Sequence, residues 1–338
     1  MADYKYSEQV DIENIQKLRS MLHELPPFFK DFFRGIEPRT QSRTQIAYAY
    51  DIKRSCSKIS DIPLSSLESL SVTDIEEYME YLKYRDTDGK KISNKENAVK
   101  RKISTLKSVF KYFYRVEKLS ENIMERVQLP KLHSKEIIRL DIDEVAMMID
   151  EAENGEGLSE RQKAYHNKTK IRDVALLSLL LGTGIRVSEC VGLNISDVDF
   201  KHNGILIHRK GGKEVTIYFS DEVKEALQNY FDERVLILEE SGHEGALFLS
   251  MQNKRLSVRS VEKLVKKYAK IISPLKKITP HKLRSTYGTN LYKETGDIYL
   301  VADVLGHSDV NTTKKHYAAI EDDRRKSARN VVKLREKQ

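Results

Sequence analysis

The chain has 338 residues, 39% of them hydrophobic and 33% charged, which is enough apolar material for two cores and too even in sign for global disorder. Lysine and arginine exceed aspartate and glutamate by 59 to 51, a net charge of +8 that suits a polyanionic partner without requiring one. Cys56 and Cys190 stand in no metal-ligand spacing, no apolar run approaches the roughly 18 residues of a membrane span, and the N-terminus lacks a signal-peptide core. No disulfide framework, zinc site or membrane association is expected, and the protein is expected to be soluble and cytoplasmic.

Val10 to Glu24 is predicted helical, with Ile12, Ile15, Leu18, Met21 and Leu22 on one stripe and Pro26-Pro27 as its stop. Phe28, Phe29, Phe32 and Phe33 follow, and Gly35 and Pro38 read as a break. Residues 1–39 are therefore set apart as a leader without an assigned role. Residues 40–127 read as helical throughout. Arg43 to Ile59 gives one helix. A capping box of Thr73 and Glu76 opens a second, with Ile75, Tyr78, Met79 and Leu82 on one face. Asp88-Gly89 makes a turn, and a second box of Ser93 and Glu96 opens a long helix carrying Ile103, Leu106, Val109, Phe110 and Phe113. A short helix after Ser120 completes a bundle. Its cations, Lys90, Lys91, Lys95, Lys100, Arg101, Lys102, Lys107 and Lys111, are expected to be exposed. They form either a solvated face or a phosphate-binding one; the helical spacing of Lys100, Lys107 and Lys111 leans toward the second.

Residues 128–135 read as an interdomain linker, and residues 136–320 as a second domain that opens on a helix capped by Asp141 and Glu144. Lys170 to Leu181 is apolar enough to be a buried helix ending at Gly182-Thr183-Gly184. Asp197 to Phe200 and Ala246 to Ser250 read as strands. Gly204–Lys210 and Lys213–Phe219 alternate with period two, so Gly211-Gly212 is expected to form a two-residue hairpin turn. Helices are predicted over Asp221–Leu238, Ser257–Ile272, Pro280–Thr295, Ile298–Leu305 and from Asn311 onward. The fold class is mainly α with a small antiparallel β-sheet (α+β). Residues 321–338 are a charged tail.

Cleaving a phosphodiester without a metal requires an in-line nucleophile, a proton for the leaving oxygen, and fixed donors for the non-bridging oxygens. The planar fork of arginine suits that last task. In Thr279-Pro280-His281-Lys282-Leu283-Arg284, Thr279 caps a helix, Pro280 fills its first position, and His281 and Arg284 share a face of the first turn. In Gly182-Thr183-Gly184-Ile185-Arg186-Val187-Ser188-Glu189 the glycines permit a tight turn that aims Arg186, with Glu189 to orient it. Lys210 stands at the hairpin tip, and Gly306-His307 follows a helix end. Each motif alone also fits an ordinary surface or turn.

Taken together, in this order, these residues resemble the tyrosine recombinases, the phage-integrase and Xer group. The resemblance rests on Thr183-Gly184-Ile185-Arg186-Val187-Ser188-Glu189, Lys210, His281 with Arg284, Leu305-Gly306-His307 and Tyr317, and it covers residues 136–320 closely. It implies an N-terminal helical core-binding domain over residues 40–127 and a C-terminal catalytic domain. It also implies a site-specific recombinase that exchanges strands of duplex DNA through a 3′-phosphotyrosyl intermediate and a Holliday junction, for integration, excision or dimer resolution. In that mechanism Tyr317 is the nucleophile and Arg186 and Arg284 clamp the phosphate. Lys210 protonates the leaving 5′-oxygen, His281 assists proton transfer, His307 adds a hydrogen bond, and Glu189 supports Arg186. No metal or cofactor is implied. The expected partners are a core site with inverted repeats and further copies of the chain in a synaptic tetramer. DNA contacts are expected from Lys100, Arg101, Lys107, Lys111, Lys282, Lys314 and Lys315.

One departure stands out: His307 and Tyr317 are ten positions apart, where many Xer-type members have nine. The tail fits either docking on a neighbouring protomer or a solvated helix. The roughly 25 residues before Pro26 are too few for the arm-site domain of some phage integrases, so a two-domain enzyme is expected. The alternative function is a non-catalytic, sequence-specific DNA-binding protein that keeps the fold.

Overall fold

The computed structural model describes residues 6–55, 63–87, 90–131, 138–209, 213–306 and 310. The chain divides into two compact units, residues 1–135 and 136–338. Among the described residues no helix is long and apolar enough to cross a membrane.

The first unit contains α1 (Tyr6–Leu22), α2 (Phe29–Ile36), α3 (Ser42–Ser55), the single turn α4 (Ser65–Glu68), α5 (Val72–Lys83) and α6 (Glu96–Arg115). The segment set apart as a leader belongs to its core. Leu18, Met21, Leu25, Phe29, Phe32 and Phe33 are buried in one cluster with Ile46, Ile52, Ile103, Phe110 and Phe113. The reason lies in the spacing of the phenylalanines, which puts three rings on one side of α2. Phe32 meets Tyr112 edge-on, with ring centroids 5.6 Å apart. Gly35 is not a break but a helical position where α6 crosses closely: a Cβ there would lie 2.0 Å from Tyr112 Cε2.

Residues 40–127 are also less uniformly helical than the sequence suggests. Strands β1 (Tyr84–Thr87) and β2 (Lys90–Ser93) form an antiparallel hairpin between α5 and α6, with Tyr84 opposite Ser93. Because Ser93 is held in that strand, it does not cap α6, whose N-cap is Lys95 without a side-chain hydrogen bond. The start of α5 lies two residues earlier than expected. Ser71 is extended and accepts from the Asp74 N–H, while the Asp74 carboxylate accepts from the Ser71 N–H at 2.7 Å. A hydrogen bond from the Ser71 hydroxyl (2.6 Å), then the one from its N–H, holds the Asp74 carboxyl below its ordinary value. After Ser120 there is only a 3-10 turn, Ile123–Glu125.

The second unit begins with α7 (Ile142–Asn154), α8 (Glu160–His166), α9 (Lys170–Thr183) and α10 (Val187–Gly192). As read from sequence, Asp141 caps α7, its N–H donating to Glu144 Oε2 at 2.8 Å. Helix α9 is the central element. Ala175, Leu176, Leu177, Leu179 and Leu180 are almost wholly buried, and α7 and two later helices, Asp221–Arg234 and Pro280–Thr295, pack around it. A buried carboxylate in its first turn, Asp173, is satisfied by Arg172 Nη2 (2.6 Å), Lys267 Nζ (3.1 Å) and Tyr268 Oη (2.9 Å), as a charge removed from water must be.

A three-stranded antiparallel sheet follows, β3 (Val198–Asp199), β4 (Gly204–His208) and β5 (Glu214–Tyr218), in the order β3-β4-β5. His208 pairs with Glu214, and the Arg209 N–H donates to Lys213 O at 2.7 Å. The expected Gly211-Gly212 turn lies outside the described residues. The chain continues through α11 (Asp221–Arg234), α12 (Val258–Ile272), α13 (Pro280–Thr295) and α14 (Ile298–Leu305). Ala246–Ser250 is not a strand and makes only isolated bridges, Asn194 with Ala246 and Leu249 with Arg255. Side chains occupy the acceptors a ladder would have used: Arg234 Nε donates to Ala246 O and Tyr230 Oη to Leu247 O.

Candidate active site

The end of α9 sets the first side of the site. Gly184 closes the helix with φ +63°, and a Cβ on it would lie 2.4 Å from Tyr287 Cδ1, so both backbone and space require glycine. The turn delivers Arg186 to the start of α10. There Glu189, three residues on, accepts from the Arg186 N–H (2.7 Å) with one oxygen and from Arg186 Nη1 (2.8 Å) with the other. The Glu189 side chain is only 6% exposed while that of Arg186 is 42% exposed, so a buried carboxylate braces an accessible guanidinium.

The second side is the first turn of α13, started by Thr279 and Pro280 as the sequence predicts. Arg284 is buried there, and its Nη1 donates to Gly184 O at 2.6 Å while its Nη2 donates to Leu305 O. His281 is exposed one turn earlier on the same helix, its carbonyl accepting from Ser285 Oγ. Lys282, beside it, is half-buried.

The third side is the end of α14. Asp297 caps its start, accepting from the N–H groups of Tyr299 (2.8 Å) and Leu300 (3.1 Å), and Gly306 closes it with φ +60°. Helix termini leave their last carbonyls without helical partners, at the negative end of the helix dipole. Here three guanidiniums serve three successive carbonyls: Arg209 Nη2 donates to Val304 O (3.0 Å), Arg284 Nη2 to Leu305 O, and Arg186 Nη2 to Gly306 O (3.2 Å). Three like charges are thereby held close together.

The structure thus brings together Arg186, Glu189 and Arg284, with His281 on the same helical turn as Arg284. Lys210, His307, Tyr317, Lys314 and Lys315 lie outside the described residues. Their neighbours Arg209 and Gly306 both stand at this site. Two tyrosines of α13 are accounted for by packing: Tyr292 is buried with Val301 and Leu305, and burial pushes the Tyr287 phenol above its ordinary value. The residue the sequence reading missed is Arg209. A signal was present, since side chains two apart on a strand share a face, and Arg209 continues the line of the fully buried Ile205 and Ile207.

In the first unit the expected cations divide. Lys91, Lys95 and Lys111 are exposed, and Lys100 and Lys107 are half-buried. Lys107 Nζ donates to Val127 O at 3.1 Å. Lys102, expected on the surface, is buried, and that burial, then neighbouring Arg101, lowers the pKa of its ammonium. Arg101 makes a bidentate pair with Asp51 (2.5 and 2.7 Å), whose carboxylate also accepts from Thr105 Oγ1.

Comparison with known proteins agrees with this organisation. Residues 138–324 match the Phage integrase family, and residues 29–117 match its N-terminal SAM-like domain. A tyrosine recombinase XerS of Streptococcus pneumoniae (strain CGSP14) is 33% identical over 80% of this chain and 82% of its own length. XerS of Lactococcus lactis subsp. cremoris (strain MG1363) is 29% identical over 89% and 93%. Among solved structures, the XerH site-specific recombinase bound to palindromic difH substrate shares the fold with a TM-score of 0.66 at 19% identity, over 85% of this chain and 80% of that one. A lambda integrase dimer bound to a COC′ core site gives 0.62 at 18% identity, over 86% and 94%. The chain belongs to the phage integrase family. It is a site-specific recombinase of the tyrosine type.

Proposed function

We propose that the chain cleaves and rejoins duplex DNA at a core site through a covalent 3′-phosphotyrosyl intermediate on Tyr317. The observation that carries this reading is the convergence of Arg186 and Arg284, a hundred residues apart, on the carbonyls of Gly306 and Leu305 directly before His307. Each arginine uses part of its fork on the protein, and the accessible edge of Arg186 is left to meet a non-bridging phosphate oxygen. Tyr317 Oη forms a bond to phosphorus as the bond to the 5′-oxygen breaks. Lys210 gives that oxygen its proton, and His281 assists removal of the tyrosine proton. A tyrosine with an ordinary pKa near ~10 needs such cations to react at neutral pH. The phosphotyrosine keeps the energy of the broken bond, so a 5′-hydroxyl can reverse the step without ATP. The sequence match of His307 supports a further hydrogen bond to the phosphate.

The XerH complex, with its palindromic substrate, supports a core site with inverted repeats; on such a site several copies of this chain would form the synapse and exchange strands through a Holliday junction. A purely DNA-binding role, the alternative weighed from sequence, has no observation in its favour.

The test uses a duplex site selected from a randomised library by repeated binding to the protein, then nicked near its centre to trap cleavage. Wild type is expected to give an adduct that survives denaturation in detergent, and Tyr317→Phe none. An inert wild type, or an adduct with Tyr317→Phe, overturns the assignment.

A further inference from the structure

Arg209 takes no part in the mechanism as drawn, yet its side chain is 13% exposed and turned into the site. Its Nη2 donates to Val304 O at 3.0 Å, and its Nε lies 3.8 Å from Glu189 Oε1, the same oxygen that receives Arg186 Nη1 at 2.8 Å. That Nε is buried with no hydrogen-bond partner among the described residues. Packing is close: a Cβ on Gly306 would lie 2.2 Å from Arg209 Nη1. The backbone of Arg209 closes the β4–β5 hairpin on Lys213, and the next residue in the chain is Lys210.

We infer that Arg209 is a positioning residue for strand cleavage. It locks the base of the hairpin, one residue before Lys210, to the end of α14, one turn before His307. The element carrying the proton donor and the turn leading to the nucleophile are then held in one register, with Glu189 as the counter-charge that Arg209 and Arg186 share. A planar five-donor fork can reach Val304 O and Glu189 together; a lysine ammonium at the same place cannot hold both in fixed geometry. The inference rests on the Tyr317 and Lys210 assignments proposed above.

The experiment compares wild type, Arg209→Lys and Arg209→Ala on the nicked duplex and on the same duplex with sulfur replacing the bridging 5′-oxygen. A thiolate leaves without a proton, so this substrate bypasses the donor. On the oxygen substrate Arg209→Ala is expected to slow adduct formation about 100-fold, within the range a positioned acid supplies. DNA affinity should stay within about twofold, because no phosphate contact is removed. On the sulfur substrate most of the loss should disappear, and Arg209→Lys should fall between wild type and Arg209→Ala on oxygen. If Arg209→Ala does not fold, Arg209→Lys carries the comparison. Equal slowing on both substrates, or cleavage at the wild-type rate, overturns the inference. A wild type that forms no adduct on either substrate instead overturns the Tyr317 reading, so the two failures are distinct.

Discussion

At the scale of single residues, the arginines of the site are held by main-chain oxygens on one side and a single carboxylate on the other. Gly184 is the residue on which this arrangement depends most sharply, because its carbonyl receives Arg284 while its φ of +63° and the Tyr287 ring leave no room for a Cβ. Gly184→Ala is expected to cost about 1–3 kcal/mol of stability, from the left-handed backbone and the displaced ring. It should slow cleavage beyond that loss, because the Arg284 acceptor moves. Urea denaturation and adduct formation, measured together, check both parts. An unchanged cleavage rate at reduced stability would confine the role of Gly184 to folding.

At the scale of elements, the parts nearest the site were the most legible in the sequence. Thr279 with Pro280, Asp297, and the glycines at 296 and 306 are strong local punctuation, and α13 and α14 begin and end where those residues say. The β1–β2 hairpin was hidden because Tyr-Arg-Asp-Thr and Lys-Lys-Ile-Ser do not alternate, so the sequence offered only the Asp88-Gly89 turn signal, which lies outside the described residues. Thr73 reads as the cap because Thr73 and Glu76 fit a capping box, whereas the extended backbone at Ser71 and its Asp74 partner set the start two residues earlier. Arg209 is hidden in the sequence by its neighbour Lys210, a hairpin cation of the same charge, although it shares the parity of the buried Ile205 and Ile207.

Element ends also give a pH-dependent prediction. Burial alone would push the Glu144 carboxyl up, but hydrogen bonds from Lys276 and the Asp141 backbone outweigh it and hold the group below its ordinary value. Lys276 is raised in turn, chiefly by Glu144. A depressed carboxyl stabilises the fold above its unfolded value of about 4.3 and loses that contribution as pH falls through the folded value. Glu144→Gln should therefore cost about 1 kcal/mol at pH 7. Its denaturation midpoint should converge on that of wild type as pH falls through the depressed folded value of Glu144. A gap that persists in acid would mean that packing, not charge, is lost.

At the scale of the whole molecule, the net charge of +8 raises the question of which cations serve the fold and which a polyanion, and Arg101 and Lys111 on one helix separate the two. Arg101 pairs with the buried Asp51, so Arg101→Ala should destabilise the first unit by about 1–2 kcal/mol, after discounting for the half-exposed guanidinium. Lys111 is exposed on the same helix, and Lys111→Ala should leave stability unchanged. It should reduce the slope of log affinity against log salt by about 1 if it neutralises a phosphate. Thermal unfolding and binding titrations at several salt concentrations separate the two, and an unchanged salt slope would remove Lys111 from the DNA face.

The way α14 ends has a consequence for how the protein can vary. Val304, Leu305 and Gly306 receive the three guanidiniums through carbonyl oxygens, which every amino acid carries. The half-buried side chain of Val304 can therefore drift without disturbing the cations, and Leu305 is limited by its packing with Tyr292 and Val301 rather than by the guanidinium it receives. Only Gly306, pinned between Arg209 and its own left-handed φ, is denied that freedom. Among diverging copies of this chain, position 304 should tolerate exchange while the arginines and the glycine stay fixed, because the charge cluster is anchored to a part of the polypeptide that substitution does not rewrite.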